Sequence, residues 1–183
     1  TGRNPSSIGM NTISEAAMGF PGLNTHIPAE AGMVSEVLQE KGWSTFHVGK
    51  WHLNGRFNLP GQPQPSDHGF DHWFSTQNNA LPNHHNPDNF VRNGKAVGLL
   101  EGYSAQLVAD EAIHWLRDLR DANKPFFLFV CFHEPHEPIA TDPQFARLYP
   151  SPDDPTRAAH HGNVTQMDSA FGRLMTAFDD LGL

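Results

Sequence analysis

The run Phe126-Phe127-Leu128-Phe129-Val130-Cys131-Phe132 constrains this chain more than any other stretch. Seven consecutive apolar residues show no alternation, so neither face of the strand they predict suits water. Such strands belong at the centre of a parallel sheet, buried between helices on both faces. The chain supplies matching partners. Met33, Val34, Val37 and Leu38 recur at helical spacing within residues 28–41, with Glu30 in the first turn and Gly42 as the stop. Residues 43–48 follow at once, aromatic and β-branched, giving the helix-to-strand unit that builds parallel sheets. Residues 103–121 restore helical spacing through Leu107, Val108, Ala112, Trp115, Leu116 and Leu119. A last helix sets Val164, Met167, Phe171, Leu174, Met175, Phe178 and Leu181 on one stripe. The order irregular segment, α, β, long loop, α, β, loop, α predicts an α/β fold with a mostly parallel sheet flanked by helices.

Between these elements the chain is rich in loops. Residues 1–29 carry Gly, Pro, Ser and Asn without a sustained period, and a Pro-rich loop is expected over residues 135–155. Residues 53–95 are crowded with Asn, Pro, Gly and His, and their one compact apolar knot is Gly69-Phe70-Asp71-His72-Trp73-Phe74. A stretch of this length without regular structure usually serves function, here as a substrate-facing excursion. A formal net charge of -8, with 12 Lys and Arg residues scattered, excludes a broad nucleic-acid footprint. No apolar run approaches the roughly 20 residues of a spanning helix, so no membrane partner is expected. The single cysteine, Cys131, excludes an intrachain disulfide and reads as a buried free thiol. The chain opens without methionine and stops where a helix has just finished, so it is expected to be a piece of one domain, truncated at both ends.

The chemistry gathers at two strand ends. Residues 44–49 open into Lys50-Trp51-His52, and the strand ending at Phe132 opens into His133-Glu134-Pro135-His136. In α/β proteins ligands sit beyond the carboxyl ends of the strands, so both clusters are delivered to one crevice. Lys50 and His52, two apart, point the same way in extended backbone, with Trp51 opposite. A lysine and up to three histidines at one rim suit an oxyanion. Other histidines carry less. His68 and His72 lack the helix and the glutamate of a zinc HExxH pair, and His84-His85 and His160-His161 read as solvated loop residues. Asp67, Asp71, Asp88, Asp153 and Asp154 read as turn formers rather than metal ligands.

At these residues the chain resembles the formylglycine-dependent type I sulfatases of the alkaline-phosphatase-like superfamily. Thr1-Gly2-Arg3, with Pro5 and Gly9-Met10, is similar to the close of the family's CxPSRxxxxTGR motif. Gly49-Lys50-Trp51-His52-Leu53 matches its GKWHLG signature, with Asn54 and Gly55 departing from the final glycine. Gly69-Phe70-Asp71 matches its GFD element, and Pro125 to Leu128 leading to Pro135-His136-Glu137-Pro138 matches its PFFLY…PHxP pattern. The last helix, with Asp168, Gly172, Leu181 and Gly182, completes a collinear set. The resemblance implies a sulfuric ester hydrolase acting on a small-molecule or glycan sulfate ester. It implies a calcium ion and a cysteine converted to formylglycine by a formylglycine-generating enzyme. Both the nucleophile and the calcium ligands are expected outside this chain, which alone is expected to be inactive. Residue by residue, it makes Lys50 a ligand of sulfate and formylglycine oxygens, and gives His52 a part in releasing sulfate. His136 becomes a sulfate contact that helps protonate the leaving group, with His133 only a neighbour. The family's usual compartments are periplasmic, secreted or lysosomal. Two alternatives stand beside this reading: a phosphate or phosphonate ester hydrolase of the same superfamily, and a noncatalytic binder of sulfated glycans.

Overall fold

The computed structural model describes residues 1–183. A short helix α1 (Ser14–Ala17) interrupts the irregular opening segment, and α2 spans Val34–Glu40. The helical run starts later than its periodicity suggests because Gly32, at φ +67, breaks it from a 3-10 turn over Ala29–Ala31. Strand β1 (Ser44–Lys50) follows, then β2 (His72–Thr76), the short strands β3 (Val91–Arg92) and β4 (Lys95–Ala96), and helix α3 (Ser104–His114). A π-helical turn over Trp115–Leu119 extends α3 toward β5 (Phe126–Cys131), and α4 (Pro143–Ala146) precedes α5 (Pro155–Leu181).

The five strands form one sheet in the order β4-β3-β2-β1-β5, with β1 parallel to both β2 and β5, and antiparallel pairs only at the β2-β3-β4 side. Two expectations need correction here. The apolar knot near Gly69 is a strand: Trp73 and Phe74 are both buried, on opposite faces, so no alternation marks β2 within its polar surroundings. Residues 53–95 are therefore not structureless. Strand β5 is not central but lies at the sheet edge, and Phe129 is 43% exposed. Its composition answers to apolar contact on both faces, yet within this chain only β1 pairs with it.

The core fills the space between the sheet and α3 with α5. Phe46, Val48 and Phe74 meet Val108, Ala112, Trp115, Leu116 and Leu174, with Phe126, Leu128 and Val130 of β5 packed against them. Trp115 lies 5.1 Å from the Phe46 ring, centroid to centroid. The other sheet face is aromatic: His47 meets the edges or faces of Trp51, Phe70 and Phe129 at 5.1 to 5.6 Å. The helical stripes face inward only in part. In α5 the buried positions are Gly162, Asn163, Gln166, Ala170, Leu174 and Ala177, whereas Val164, Phe171 and Met175 are exposed. In α2 the buried residue is Ser35, whose hydroxyl donates to the His68 carbonyl at 2.6 Å, and Val34 and Val37 face outward. Close approach explains this choice: a Cβ on Gly69 would lie 2.5 Å from the Glu36 backbone, so only small groups fit where α2 meets the turn before β2. Helix α5 begins nine residues before its apolar stripe because Asp154 accepts from the Arg157 N–H and Pro155 occupies the first turn.

Two buried imidazoles make the fold acid-sensitive. Burial lowers His47 to about 3, and burial, with the charges of His84, Lys50 and His47, lowers His133 to about 3. Unfolded histidine takes up its proton near 6.5, so between pH 6.5 and about 3 the unfolded chain binds protons that the folded chain refuses. Stability is therefore full above pH 6.5 and falls by about 1.4 kcal/mol per pH unit for each ring below it. The urea midpoint is expected to hold above pH 7 and drop by the equivalent of about 4 kcal/mol at pH 5. A midpoint unchanged down to pH 5 would contradict the neutral state of both rings.

Candidate functional site

The parallel register carries Lys50, the last residue of β1, and the turn after β5 to the same end of the sheet: Gly49 stands opposite Cys131 and Lys50 opposite Thr76. Beyond Lys50 the backbone continues beside β2, with Trp51 N–H donating to the Thr76 carbonyl at 3.0 Å and His52 N–H to the Gln77 carbonyl at 2.7 Å. Trp51 is buried on the aromatic face, while Lys50 and His52 are half-buried. His52 is not extended as its spacing predicts. It has φ +49, and that left-handed turn aims its ring at α1.

Asparagine 79 joins the two strand ends. Its Oδ1 accepts from Lys50 Nζ at 3.1 Å, and its Nδ2 donates to the Glu137 carbonyl at 2.5 Å and lies 3.0 Å from His136 Nδ1. Asn79 is itself held by Asn89, whose Nδ2 donates to the Asn79 carbonyl at 2.9 Å. His136 Nδ1 also lies 2.7 Å from the Glu137 carbonyl, so this nitrogen is engaged in the network and Nε2 is the ring nitrogen left free. His136 is exposed at the rim.

Glutamate 15 of α1 plays the corresponding part for His52. Its Oε2 accepts from His52 Nε2 at 2.9 Å, and its Oε1 from Asn78 Nδ2 at 3.0 Å. Burial works to raise the Glu15 carboxyl, but hydrogen bonds from His52, its own backbone and Gln77, with the His52 charge, hold it at about 2. Burial lowers Lys50, opposed by the charge of Glu15. The rim thus combines an ammonium, an oriented imidazole and an exposed imidazole, a set able to hold an oxyanion and move a proton beside it. An open hollow of about 470 Å³ adjoins it, walled in part by Glu15, Arg56, Phe57, Asn58, Gln77 and Asn89. A larger one, about 720 Å³, lies between α3 and α5 on the helical layer, where Arg173 is already paired with Asp110. It shares no residue with the strand-end cluster.

Two histidines depart from expectation. His84 is fully buried rather than solvated, and His133 is buried against Thr76 and Phe90 instead of lining the rim. His68 is 1% exposed and bonded to Glu36 at 3.0 Å. Asp67 does act as a turn former, accepting from the Gln64 N–H at 2.8 Å. Cys131 is half-buried rather than fully buried, and burial pushes its thiol up to about 11, so it is no nucleophile near neutral pH. The acidic, histidine and cysteine side chains nowhere gather in a group of three fit for a metal ion. Neither calcium nor formylglycine finds its ligands among these residues. Glu15 and Asn79 belong to no motif: the first lies in the irregular opening segment and the second in the polar stretch of residues 53–95. No helix is long and apolar enough to cross a membrane.

The sheet, its helices and its cationic rim define an α/β domain of the alkaline-phosphatase-like class. A solved structure described as Ps i-CgsB superposes with a TM-score of 0.77, at 23% identity, covering 98% of this chain and 42% of that one. Residues 1–183 match the Sulfatase family model throughout, and the chain belongs to that family. Among curated relatives, N-acetylgalactosamine-6-sulfatase of Rattus norvegicus is 28% identical over 172 residues, covering 86% of this chain and 31% of the relative. The ulvan-active sulfatase of Formosa agariphila is 27% identical, covering 86% and 34%. A structure of a protein with its substrate D-glucosamine-2-N,6-O-disulfate is 28% identical, with a TM-score of 0.52, covering 70% of this chain and 24% of that one. The chain spans about a third of the length of the curated relatives it matches.

Proposed function

We propose that residues 1–183 form part of one sulfatase catalytic domain and supply the sulfate-gripping wall of its active site. The observation that carries this reading is the Asn79 bridge, which brings Lys50 and the His136 turn together at the carboxyl ends of parallel strands. Lys50 places a positive charge on the sulfate oxygens, where negative charge is held and develops. His136 gives the proton at Nε2 to the departing alcohol or phenol, and His52, held by Glu15, serves the release of sulfate. The hollow beside His52 takes the organic part of the ester, with Asn58, Gln77 and Asn89 as hydrogen-bonding groups and Arg56 as a second cation. Sulfated sugars are the substrate class this reading favours. They are what one structural relative was solved with, another was solved with k-i-k-neocarrahexaose, and amide-lined hollows suit hydroxyl-rich ligands. The exposed edge of β5, with Phe129 on one face of the sheet, and the exposed Phe171 and Met175 of α5 on the other support the view that further parts of the domain cover these surfaces.

Calcium and formylglycine enter this reading as family chemistry supplied from residues other than these. The test uses the protein expressed from its whole reading frame with a formylglycine-generating enzyme. It is expected to hydrolyse nitrophenyl sulfate and sulfated sugars at least 100-fold faster than the matching phosphate and phosphonate esters, a margin of about 2.7 kcal/mol. Preference for a phosphoryl ester would favour the phosphohydrolase alternative. Binding of sulfated glycans without turnover by the fully modified protein would favour the noncatalytic one.

A further inference from the structure

Glu134 is a carboxylate buried to 4% exposure one residue from the proline that leads to His136. Its Oε1 accepts from Ser104 Oγ at 2.6 Å and from the Ala105 N–H at 2.9 Å, and the Gln166 amide lies at 3.5 Å. Ser104 and Ala105 open α3, and the residue before them, Tyr103, provides no side-chain cap. A glutamate thirty residues along the chain therefore does the capping, its charge set against the positive end of the helix. Gln166 ties the same point to α5. The other flank of the turn is fixed as well. The Thr76 hydroxyl donates to the Asn78 carbonyl at 2.6 Å, so at 2.8 Å it accepts from His133 Nε2, and the His136 N–H closes the turn on the His133 carbonyl at 3.0 Å.

A buried carboxylate is costly, and an apolar residue would hold two helices together with less penalty. What a charged acceptor adds is direction: two donors on a rigid helix end fix the Glu134 side chain, and with it the backbone two residues before His136. The second oxygen, Oε2, has no partner, and His84, at 3.9 Å from Oε1, has none on either ring nitrogen, so the anchoring rests on Oε1 alone. We propose that Glu134 is a positioning residue that sets the place of His136 by capping α3. This rests on the sulfatase reading for its consequence in turnover, but not for its consequence on the His136 ring.

The test compares Glu134→Ala and Glu134→Gln with and without His136→Ala in the whole protein. Displacing a reacting group by about 1 Å costs roughly 100-fold, and that is the expected fall in kcat on sugar sulfates for Glu134→Ala, with KM little changed. Glu134→Gln keeps an acceptor at Oε1 and is expected to recover most of the loss. In the His136→Ala background the Glu134→Ala penalty is expected to vanish, because nothing remains to be positioned. Equal penalties in both backgrounds, or a glutamine no better than alanine, would overturn the proposal. Imidazole NMR supplies a readout independent of turnover. The His136 ring signals are expected to shift or broaden in Glu134→Ala and stay in place in Glu134→Gln, and unmoved signals in the alanine variant would overturn the proposal even in a protein without sulfatase activity. If Glu134→Ala does not fold, Ser104→Ala removes one of the two donors and is read in the same way, with a smaller penalty that also vanishes beside His136→Ala.

Discussion

Replacing Gly49 with alanine is expected to destabilise this fold by several kcal/mol. A Cβ at Gly49 would lie 1.9 Å from the Cys131 carbonyl oxygen and 2.7 Å from its carbon, and φ is +103, where side chains are strained whatever the space. The obstacle is backbone in the adjacent strand, so no rotamer change relieves it. Either the β1-β5 ladder opens at its carboxyl end or the strand twists away from its register. Backbone strain and overpacking together amount to roughly 2 to 6 kcal/mol, against a usual total of about 5 to 15. Urea unfolding measures it, with Gly172→Ala in α5 as the control. A Cβ there meets nothing within 4 Å, and loss of a helix glycine should stabilise by a few tenths to about 1 kcal/mol. A Gly49→Ala protein as stable as its parent would mean that β1 and β5 do not approach as described. Because Gly49 precedes Lys50, any folded residue of that variant is also expected to lose its anion grip.

The second large effect concerns the rim. In the whole protein, Lys50→Ala is expected to lower kcat/KM by roughly 100- to 1,000-fold, the range for removal of one preorganised group at developing charge. Its fold should be unaffected, since Lys50 is half-buried and makes one side-chain hydrogen bond, to Asn79. Arginine should not restore activity, because its planar fork does not reproduce the point charge that Asn79 orients. His136→Ala is expected to differ in kind. If Nε2 protonates the leaving group, the loss is small for nitrophenyl sulfate, whose phenolate departs unaided, and 100-fold or more for sugar sulfates, in keeping with general acid catalysis worth about 100- to 10,000-fold. Equal losses on both substrates would remove the proton-donor role from His136, and an active Lys50→Ala protein would remove the anion grip from Lys50.

Much of this was legible in local pattern. Strands β1 and β5 and helices α3 and α5 announce themselves through runs of consistent period, and the ends of β1 and β5 place Lys50 and His136 by the rule that strand ends carry ligands. Strand β2 was hidden because four of its five residues are buried, on both faces and within a polar surround, so they carry no alternation. The burial demand of β5 was correct in composition and misleading about position, since an apolar strand specifies that its faces be covered but not how many strands flank it.

Local pattern was enough for strands β1 and β5, for helices α3 and α5, and for the cationic side chains at the rim of the sheet, because these depend on neighbours within a turn or two. Only the tertiary structure decided what holds those side chains. Asn79 reaches Lys50 across 29 positions, Glu15 reaches His52 across 37, and Glu134 reaches Ser104 across 30. Polar loop residues look alike in a sequence. The parallel register and the packing of α3 and α5 select which of them are buried, and turned His84 and His133 from loop histidines into buried rings of the interior.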